Sequence, residues 1–208
     1  MSNYTRQQEI VNGLVHGFGM LFGISCLPVV TGIAVNHGNT PGIVGSVIYG
    51  FCFLLLFTSS TIYHLLREPS TKKVFKIVDH ISIFFLISGT YTPFLLVYMN
   101  NAFGISLLSI LWGLTLIGIY FKIHFTGKFE ILSTLIYVLM GLLMIVGGRK
   151  FFDYLPLQVM VFICIGGGLY LAGVFFYLWD KYQYTHAVWH IFVLAAAMCH
   201  YVAVMLAM

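Results

Sequence analysis

Three histidines in this sequence have the spacing of a metal site. His186 and His190 are four residues apart, so on a helix their rings lie on one face about 6 Å apart. A helix offers two imidazoles to one zinc ion in this way, and His64 could supply a third nitrogen from a neighbouring helix. Three protein ligands leave a position for water, whose pKa zinc lowers to about 7. The pattern favours Zn²⁺ as cofactor, although a lone histidine in an apolar helix is often only a hydrogen-bonded packing residue.

Two more polar residues accompany these histidines as candidate catalytic groups. Asp79 could cap a helix, because the dipole and the free N–H groups at a helix start favour a carboxylate. It could equally hold or deprotonate a water molecule on the zinc, and the two roles are compatible. Ser60 lies one turn before His64. Its hydroxyl could bond back to the carbonyl four residues earlier, or support His64 or a polar group of a substrate.

The elements that must position these side chains follow from the composition. The chain of 208 residues is 60% apolar and only 8% charged, whereas soluble domains carry about 25% charged residues. A lipid bilayer must therefore solvate most of the surface, and a spanning helix needs about 20 apolar residues. We predict an all-α membrane protein, a single domain over 1–208 that forms a seven-transmembrane helix bundle. The predicted spans are 12–34, 42–66, 77–99, 103–122, 130–148, 157–178 and 185–207.

The distribution of basic residues predicts the orientation of this bundle. With seven spans, the N-terminus and the loops after spans two, four and six share one side. That side carries eight basic residues: Arg6, Arg67, Lys72, Lys73, Lys76, Lys122, Lys128 and Lys181. The opposite side carries only Arg149 and Lys150. Because short basic loops stay in the cytoplasm, we expect the N-terminus inside and the C-terminus outside, in a multi-pass protein of the inner (plasma) membrane.

This topology places the candidate site residues at one depth. His64 ends span two, Asp79 begins span three, and the His186–His190 pair begins span seven, all at the cytoplasmic side. Ionisable residues within spans are costly and usually functional. His200 shares the face of His186, but it lies ten residues beyond His190, or about 15 Å along a helix. We therefore expect it to be too distant to share the same ion.

Smaller features complete the expectations. Residues 1–10 are polar and are not followed by a signal-peptide cleavage site. Thr5 and Gln8 form a capping-box pattern that predicts a short interfacial helix before the first span. Pro93 should kink span three or end its regular part. His16 has no partner that the sequence identifies, and the absence of a long basic run gives no support for nucleic-acid binding.

The chain resembles the hemolysin III family, the bacterial branch related to the progestin and adipoQ receptors and, more distantly, to alkaline ceramidases. The resemblance covers essentially the whole chain. It is carried by Ser60-x-x-x-His64, Asp79 and His186-x-x-x-His190 in order, and by the strings NGLVHGFG (12–19), SSTIYHLL (59–66), VDHISIFFLISGTYTPF (78–94) and THAVWHIFV (185–193).

The resemblance implies a seven-helix bundle with a zinc ion near its cytoplasmic side. It implies that His64, His186 and His190 are the ligands, that Asp79 contacts the water on the zinc, and that Ser60 is the serine of the S-x-x-x-H motif. It also implies a role in membrane lipid homeostasis, because the wider superfamily is associated with hydrolysis of lipid amides such as ceramide.

Three functions remain open at this point, with membrane lipids as the expected partners. The chain could be a zinc-dependent hydrolase of lipid amides or esters, or a sensor of membrane state with a structural zinc. A pore-forming haemolysin is disfavoured, because a pore needs a polar stripe along the spans and the polar residues cluster at one end.

Overall fold

A computed structural model describes residues 4–146, 148–179 and 181–208, and these residues form helices joined by short turns. We number the helices in chain order. They are α1 (Arg6–Asn36), α2 (Thr40–Leu65), α3 (Pro69–Tyr98), α4 (Ala102–Phe125), α5 (Glu130–Gly141), α6 (Leu143–Val146), α7 (Gly148–Phe152), α8 (Leu157–Leu178) and α9 (Thr185–Leu206).

Six of these helices are long and apolar enough to cross a membrane: α1, α2, α3, α4, α8 and α9. Each corresponds to one predicted span, and its bounds differ from the prediction by a few residues, most at the starts of α1 and α3. The fifth predicted span, 130–148, is instead the shorter apolar helix α5, followed by α6 and the start of α7. The all-helical membrane fold is confirmed, but the fifth run is not one continuous helix.

The break after α5 is stabilised by a tyrosine from α3. The Tyr91 hydroxyl donates to the Gly141 carbonyl at 2.7 Å and accepts from the Met144 backbone N–H at 3.0 Å. Both backbone groups lie where the regular helix is interrupted. A break inside a membrane is tolerated when neighbouring side chains satisfy the freed groups, and Tyr91 has this role here.

Side-chain caps define the beginnings of the first four helices. The predicted capping box is present, with Thr5 accepting from the Gln8 N–H and the Gln8 side chain accepting from the Thr5 N–H. The expected separate interfacial helix is wrong, because α1 runs without interruption from this cap into the first span. No glycine or proline occurs between Gln8 and Asn12, so the sequence contains nothing that would end the helix there. The helix α3 continues past Pro93 to Tyr98, so Pro93 does not end it, and the alternative of a kink stays a prediction.

Small residues permit close packing of α3 against α2. A Cβ atom built on Gly45 would lie 2.5 Å from the Pro93 Cα, and one on Gly89 would lie 2.6 Å from the Cys52 Cβ. Only hydrogen fits at these contacts, as is common where membrane helices approach closely. The packing fixes the register of α2 and α3, and therefore the relative depth of the residues near the end of α2 and the start of α3.

The outer surface of the bundle is strongly apolar. Leu116 and Ile117 on α4, Leu139 on α5 and Leu14 on α1 are each about two-thirds exposed, at 67%, 65%, 66% and 65%. Soluble proteins rarely leave such large apolar areas in contact with water. The pattern shows a surface that lipid tails can solvate.

Candidate metal centre

The structure brings together the three histidines that the sequence singled out. His64 lies in the last turn of α2, and His186 and His190 lie in the first two turns of α9. Each residue offers a ring nitrogen that lies within 4.8 Å of the other two. His64 and His190 are fully buried, while His186 is partly exposed. The antiparallel course of α2 and α9 therefore joins two distant parts of the sequence at one end of the bundle.

Glu9 determines which nitrogen of His64 faces this cluster. Its carboxylate oxygen Oε2 lies 2.7 Å from His64 Nδ1, so Nδ1–H donates and Nε2 retains its lone pair. That Nε2 lies 3.0 Å from His190 Nε2. A carboxylate that fixes the tautomer of a histidine is the usual support of an imidazole that ligates a metal. Glu9 also accepts from Lys72 Nζ at 2.9 Å through Oε1.

His186 has a similar arrangement. Its Nδ1 lies 2.9 Å from the Tyr4 hydroxyl. When Nδ1 is bonded to this hydroxyl, Nε2 is available to the cluster. Within the cluster, His64 on α2 and His186 on α9 thus each have a partner at Nδ1. The partners are Glu9 on α1 and Tyr4 just before it.

The geometry fits a zinc ion. Two nitrogens on a tetrahedral zinc are about 3.3 Å apart, given Zn–N bonds of about 2.05 Å. The His64–His190 pair, at 3.0 Å, needs to separate slightly, and the third nitrogen, within 4.8 Å of the other two, has to approach by at most about 1.5 Å. Side-chain rotation provides movements of this size. Three neutral imidazoles also match the ligand preference of zinc, and leave one position open.

Asp79 lies ten residues after the start of α3 and is buried, with 7% of its surface exposed. The capping role that its predicted position allowed is therefore wrong, because α3 begins at Pro69 and Glu68 is its cap. Asp79 is not among the residues whose ligand atoms cluster with the histidines, so it is placed near the site and outside the metal-ligating group. Ser60 is completely buried next to the Asp79 carboxylate. Its hydroxyl makes no hydrogen bond of standard length and angle within the described ranges.

The remaining histidines are placed as follows. His200 donates from Nε2 to the Ile163 carbonyl at 3.2 Å and is outside the metal cluster, in agreement with the predicted separation. His80 lies 3.8 Å from Glu130 through Nδ1. His16 does have a partner, contrary to the sequence-based view, because its ring packs 3.8 Å from that of His190, centroid to centroid.

Sequence reasoning missed the contribution of α1 to this site. The buried face of α1 carries Glu9, Asn12 and His16 at spacings of three and four residues. For Asn12 and His16, no side-chain hydrogen-bond partner occurs in the part of the chain that is described. An unpaired buried polar group costs about 1–3 kcal/mol, and such costs are typically tolerated at functional sites. A polar stripe at helical spacing in an otherwise apolar helix was the available signal.

A large cavity begins beside the histidines and extends along the bundle. Its volume is about 1000 Å³, and it lies between α3, α5, α8 and α9. At the end beside the histidine cluster, the cavity is lined by His186, Asp79 and His80, and further along by apolar residues such as Ile87 and Phe151. A long apolar cavity with a polar end has the shape and polarity to accept an amphiphile.

The fold and the site define a class of protein: a polytopic helical membrane protein with a three-histidine cluster at one end of its bundle. Comparisons with known proteins specify the family. The sequence pattern described as "Haemolysin-III related" matches residues 4–201. The chain therefore belongs to the haemolysin III family.

Individual relatives agree with this assignment. The chain is 41% identical to the hemolysin-3 homolog of Bacillus subtilis (strain 168) over 194 residues, which cover 93% of this chain and 91% of that protein. It is 39% identical to hemolysin-3 of Bacillus cereus over 191 residues, or 92% and 87% of the two chains. It is also similar, at 25% identity over 86% of this chain and 77% of the relative, to the human monocyte to macrophage differentiation factor.

Proposed function

We propose that this haemolysin III-family protein binds one zinc ion through His64, His186 and His190 and hydrolyses amide or ester bonds of membrane lipids. The observation that carries the proposal is the His64 tautomer. Its Nδ1 is bonded to the Glu9 carboxylate, so its lone pair points at His190 Nε2 only 3.0 Å away. Two nitrogens held this close inside a protein are stabilised by a shared proton or a shared cation, and the nearby His186 favours a cation.

The residues around the cluster suit hydrolysis. When bound, a zinc ion supplies Lewis acidity that polarises a carbonyl group and makes water more acidic. Asp79 lies at the same end of the cavity and is buried, so its carboxylate can orient an attacking water and accept its proton. Ser60, next to Asp79, can donate a hydrogen bond that holds the carboxylate in position. The apolar part of the cavity accommodates the acyl chain of a lipid.

We further propose that the histidine end of the bundle faces the cytoplasm, in the plasma membrane of the cell. The count of Lys and Arg residues supports this orientation. The His37 ring and the Asn39 amide lie within 3.4 Å of the Met208 carbonyl at the opposite end of the bundle. Cysteine introduced at Ser70, which is exposed in the first turn of α3, should react with an impermeant maleimide only after the cells are opened.

The hydrolase proposal is tested with purified protein in nanodiscs and a set of acyl-amide and acyl-ester lipids. We expect turnover in the wild type, and its loss in His186→Ala and in Asp79→Asn. The matched control is His124→Ala, because His124 is exposed on α4 and its Nδ1 bonds to the Tyr120 carbonyl of the same helix. Turnover that persists in both site variants would refute the assignment of these residues.

A second candidate is a non-catalytic regulator in which the zinc ion only ties helices together. The contacts that favour it join three helices, with Glu9 on α1, His64 on α2 and His190 on α9. In this case chelation should lower the melting temperature, while none of the lipids is cleaved. Loss of stability together with measurable turnover would exclude a purely structural role.

A further inference from the structure

Three lysines line the cavity beside the histidines. They are Lys76 on α3, Lys122 on α4 and Lys181 before α9. They come from three different parts of the chain, and the fold gathers them around one cavity. Positive charge in a cavity attracts anions, and the effect increases where the walls are of low polarity.

These lysines differ in whether a carboxylate already neutralises them. Lys122 is buried and donates to Glu130 Oε2 at 2.9 Å. Lys72, which lies one turn before Lys76, is likewise bonded to Glu9 at 2.9 Å. Lys76 is partly buried, and no hydrogen bond or ion pair of Lys76 is formed within the described ranges. Its ammonium group is therefore available to a ligand.

The position of Lys76 relates this positive charge to the proposed reaction site. Lys76 lies one turn before Asp79 and His80 on α3, and all three residues line the same cavity as His186. A ligand group bound by Lys76 would consequently lie beside the metal centre, with the remainder of the ligand in the apolar part. Two acids that oppose an anion, Asp79 and Glu130, line the same cavity. Asp79 lies beyond ion-pair distance of Lys76, and Glu130 is paired with Lys122.

We propose that Lys76 binds the anionic head group of an acyl lipid whose chain occupies the cavity. An ammonium group one turn from Asp79, in a cavity of some 1000 Å³ that is mainly apolar, matches a molecule with one charged end and a hydrocarbon chain. A phosphate or carboxylate head group can form an ion pair with the lysine ammonium group, whereas a zwitterionic head group also brings a positive charge close to it. The inference rests on the proposed function in one respect only, which is that the bound anionic lipid is the class of substrate that the protein hydrolyses.

Lys73 provides a matched control for the test. It lies on the same helix, one turn from Lys76, and carries the same charge, but it is exposed and does not line the cavity. Attraction of anionic lipids to the general membrane surface should respond equally to the loss of either lysine. A specific site should respond only to Lys76.

The experiment measures binding of phosphatidylglycerol and phosphatidylcholine to the purified full-length protein in neutral detergent, by native mass spectrometry. We expect the wild type to prefer phosphatidylglycerol, and Lys76→Gln to weaken its binding by about fivefold, the effect of one basic residue on an anionic lipid. Lys73→Gln and the charge-conserving Lys76→Arg should retain the preference. An unchanged melting temperature verifies that each variant is folded.

Several outcomes would overturn the proposal. They are equal losses in Lys76→Gln and Lys73→Gln, no preference in the wild type, and displacement of phosphatidylglycerol by an equal concentration of inorganic phosphate, which would show that a free anion is sufficient. Because binding is measured without turnover, a failure here is distinct from a failure of the hydrolase proposal. A protein that cleaves lipids without this preference would keep the proposed function and lose the proposed substrate class.

Discussion

The contact between Glu9 and His64 allows a quantitative prediction for Glu9→Gln. The carboxylate accepts from His64 Nδ1 at 2.7 Å and is buried, with a side-chain exposure of 7%. The substitution conserves the shape of the side chain and removes its charge. It replaces a charge-assisted hydrogen bond of about 1.5–3 kcal/mol with a neutral one of about 0.5–1.5 kcal/mol. The difference of roughly 1.4 kcal/mol corresponds to a tenfold loss of zinc affinity.

This magnitude agrees with the general effect of residues that support metal ligands, which is a 10–100-fold change in affinity. The assay is competition for zinc between the purified protein and a chelator of known affinity. Glu68→Gln is the matched control, because Glu68 is an exposed acid that caps α3 at the same end of the bundle. We expect no change in its zinc affinity. A folded Glu9→Gln protein with wild-type affinity would refute the role of Glu9 and the tautomer assigned to His64.

Three further predictions test packing, pH dependence and the second supported histidine. Gly45→Ala should destabilise the fold by about 1–3 kcal/mol, because the new methyl group would meet the backbone of α3. The control is Gly32→Ala, whose methyl group would have no atom within 4 Å, so the melting temperature should be unchanged or higher. Hydrogen bonds from Ser70 and Thr71 at the start of α3 lower the pKa of Glu68 from 4.5 to about 2. The stabilisation by the Glu68 carboxylate is therefore fully present above about pH 4.5 and is lost as the pH falls through 2. The difference in melting temperature between wild type and Glu68→Gln should shrink over that range, and a constant difference would contradict the prediction. Tyr4→Phe removes the hydroxyl bonded to His186 and should weaken zinc binding less than Glu9→Gln in the same competition assay, so an equal or larger loss would contradict the proposed hierarchy.

Much of the site could be predicted from the sequence, because helical spacing and charge distribution are local properties. The His186–His190 pair follows from a spacing of four residues, and the proximity of His64 follows from antiparallel helices whose ends are marked by basic loops. The clustering of the three histidines was therefore predictable before the fold was known. The capping role considered for Asp79 was wrong, because α3 begins ten residues earlier, at Pro69, with Glu68 as its cap. Its role towards a water molecule on the zinc stays a prediction.

Glu9 shows why the sequence analysis did not find the support of the site. The first span was predicted to begin at residue 12, so Glu9 was left in a polar terminal segment, whereas α1 actually begins at Arg6. One further turn of helix places its carboxylate on the buried face opposite the end of α2. A capping box at Thr5 followed by residues without a helix breaker was sufficient to indicate this continuation.

The interruption after α5 could not be predicted for a different reason. Hydropathy is continuous through residues 130–146, and Gly141 alone is weak grounds for a break, because glycine is common in membrane helices. The interruption depends on the Tyr91 hydroxyl, which bonds to the backbone on both sides of it. That contact comes from α3, some fifty residues away in sequence, and it exists only once the helices have packed together.

The central claim is that three histidines hold one zinc ion, and metal analysis of the purified protein tests it most directly. The zinc content per chain is compared among the wild type, His64→Ala, the double variant His186→Ala/His190→Ala, and His200→Ala. We predict one zinc per chain in the wild type and in His200→Ala, whose histidine lies outside the cluster, and a loss of zinc in the other two variants. One zinc per chain that persists in both cluster variants, or a folded wild type that binds no zinc when the ion is supplied, would contradict the claim.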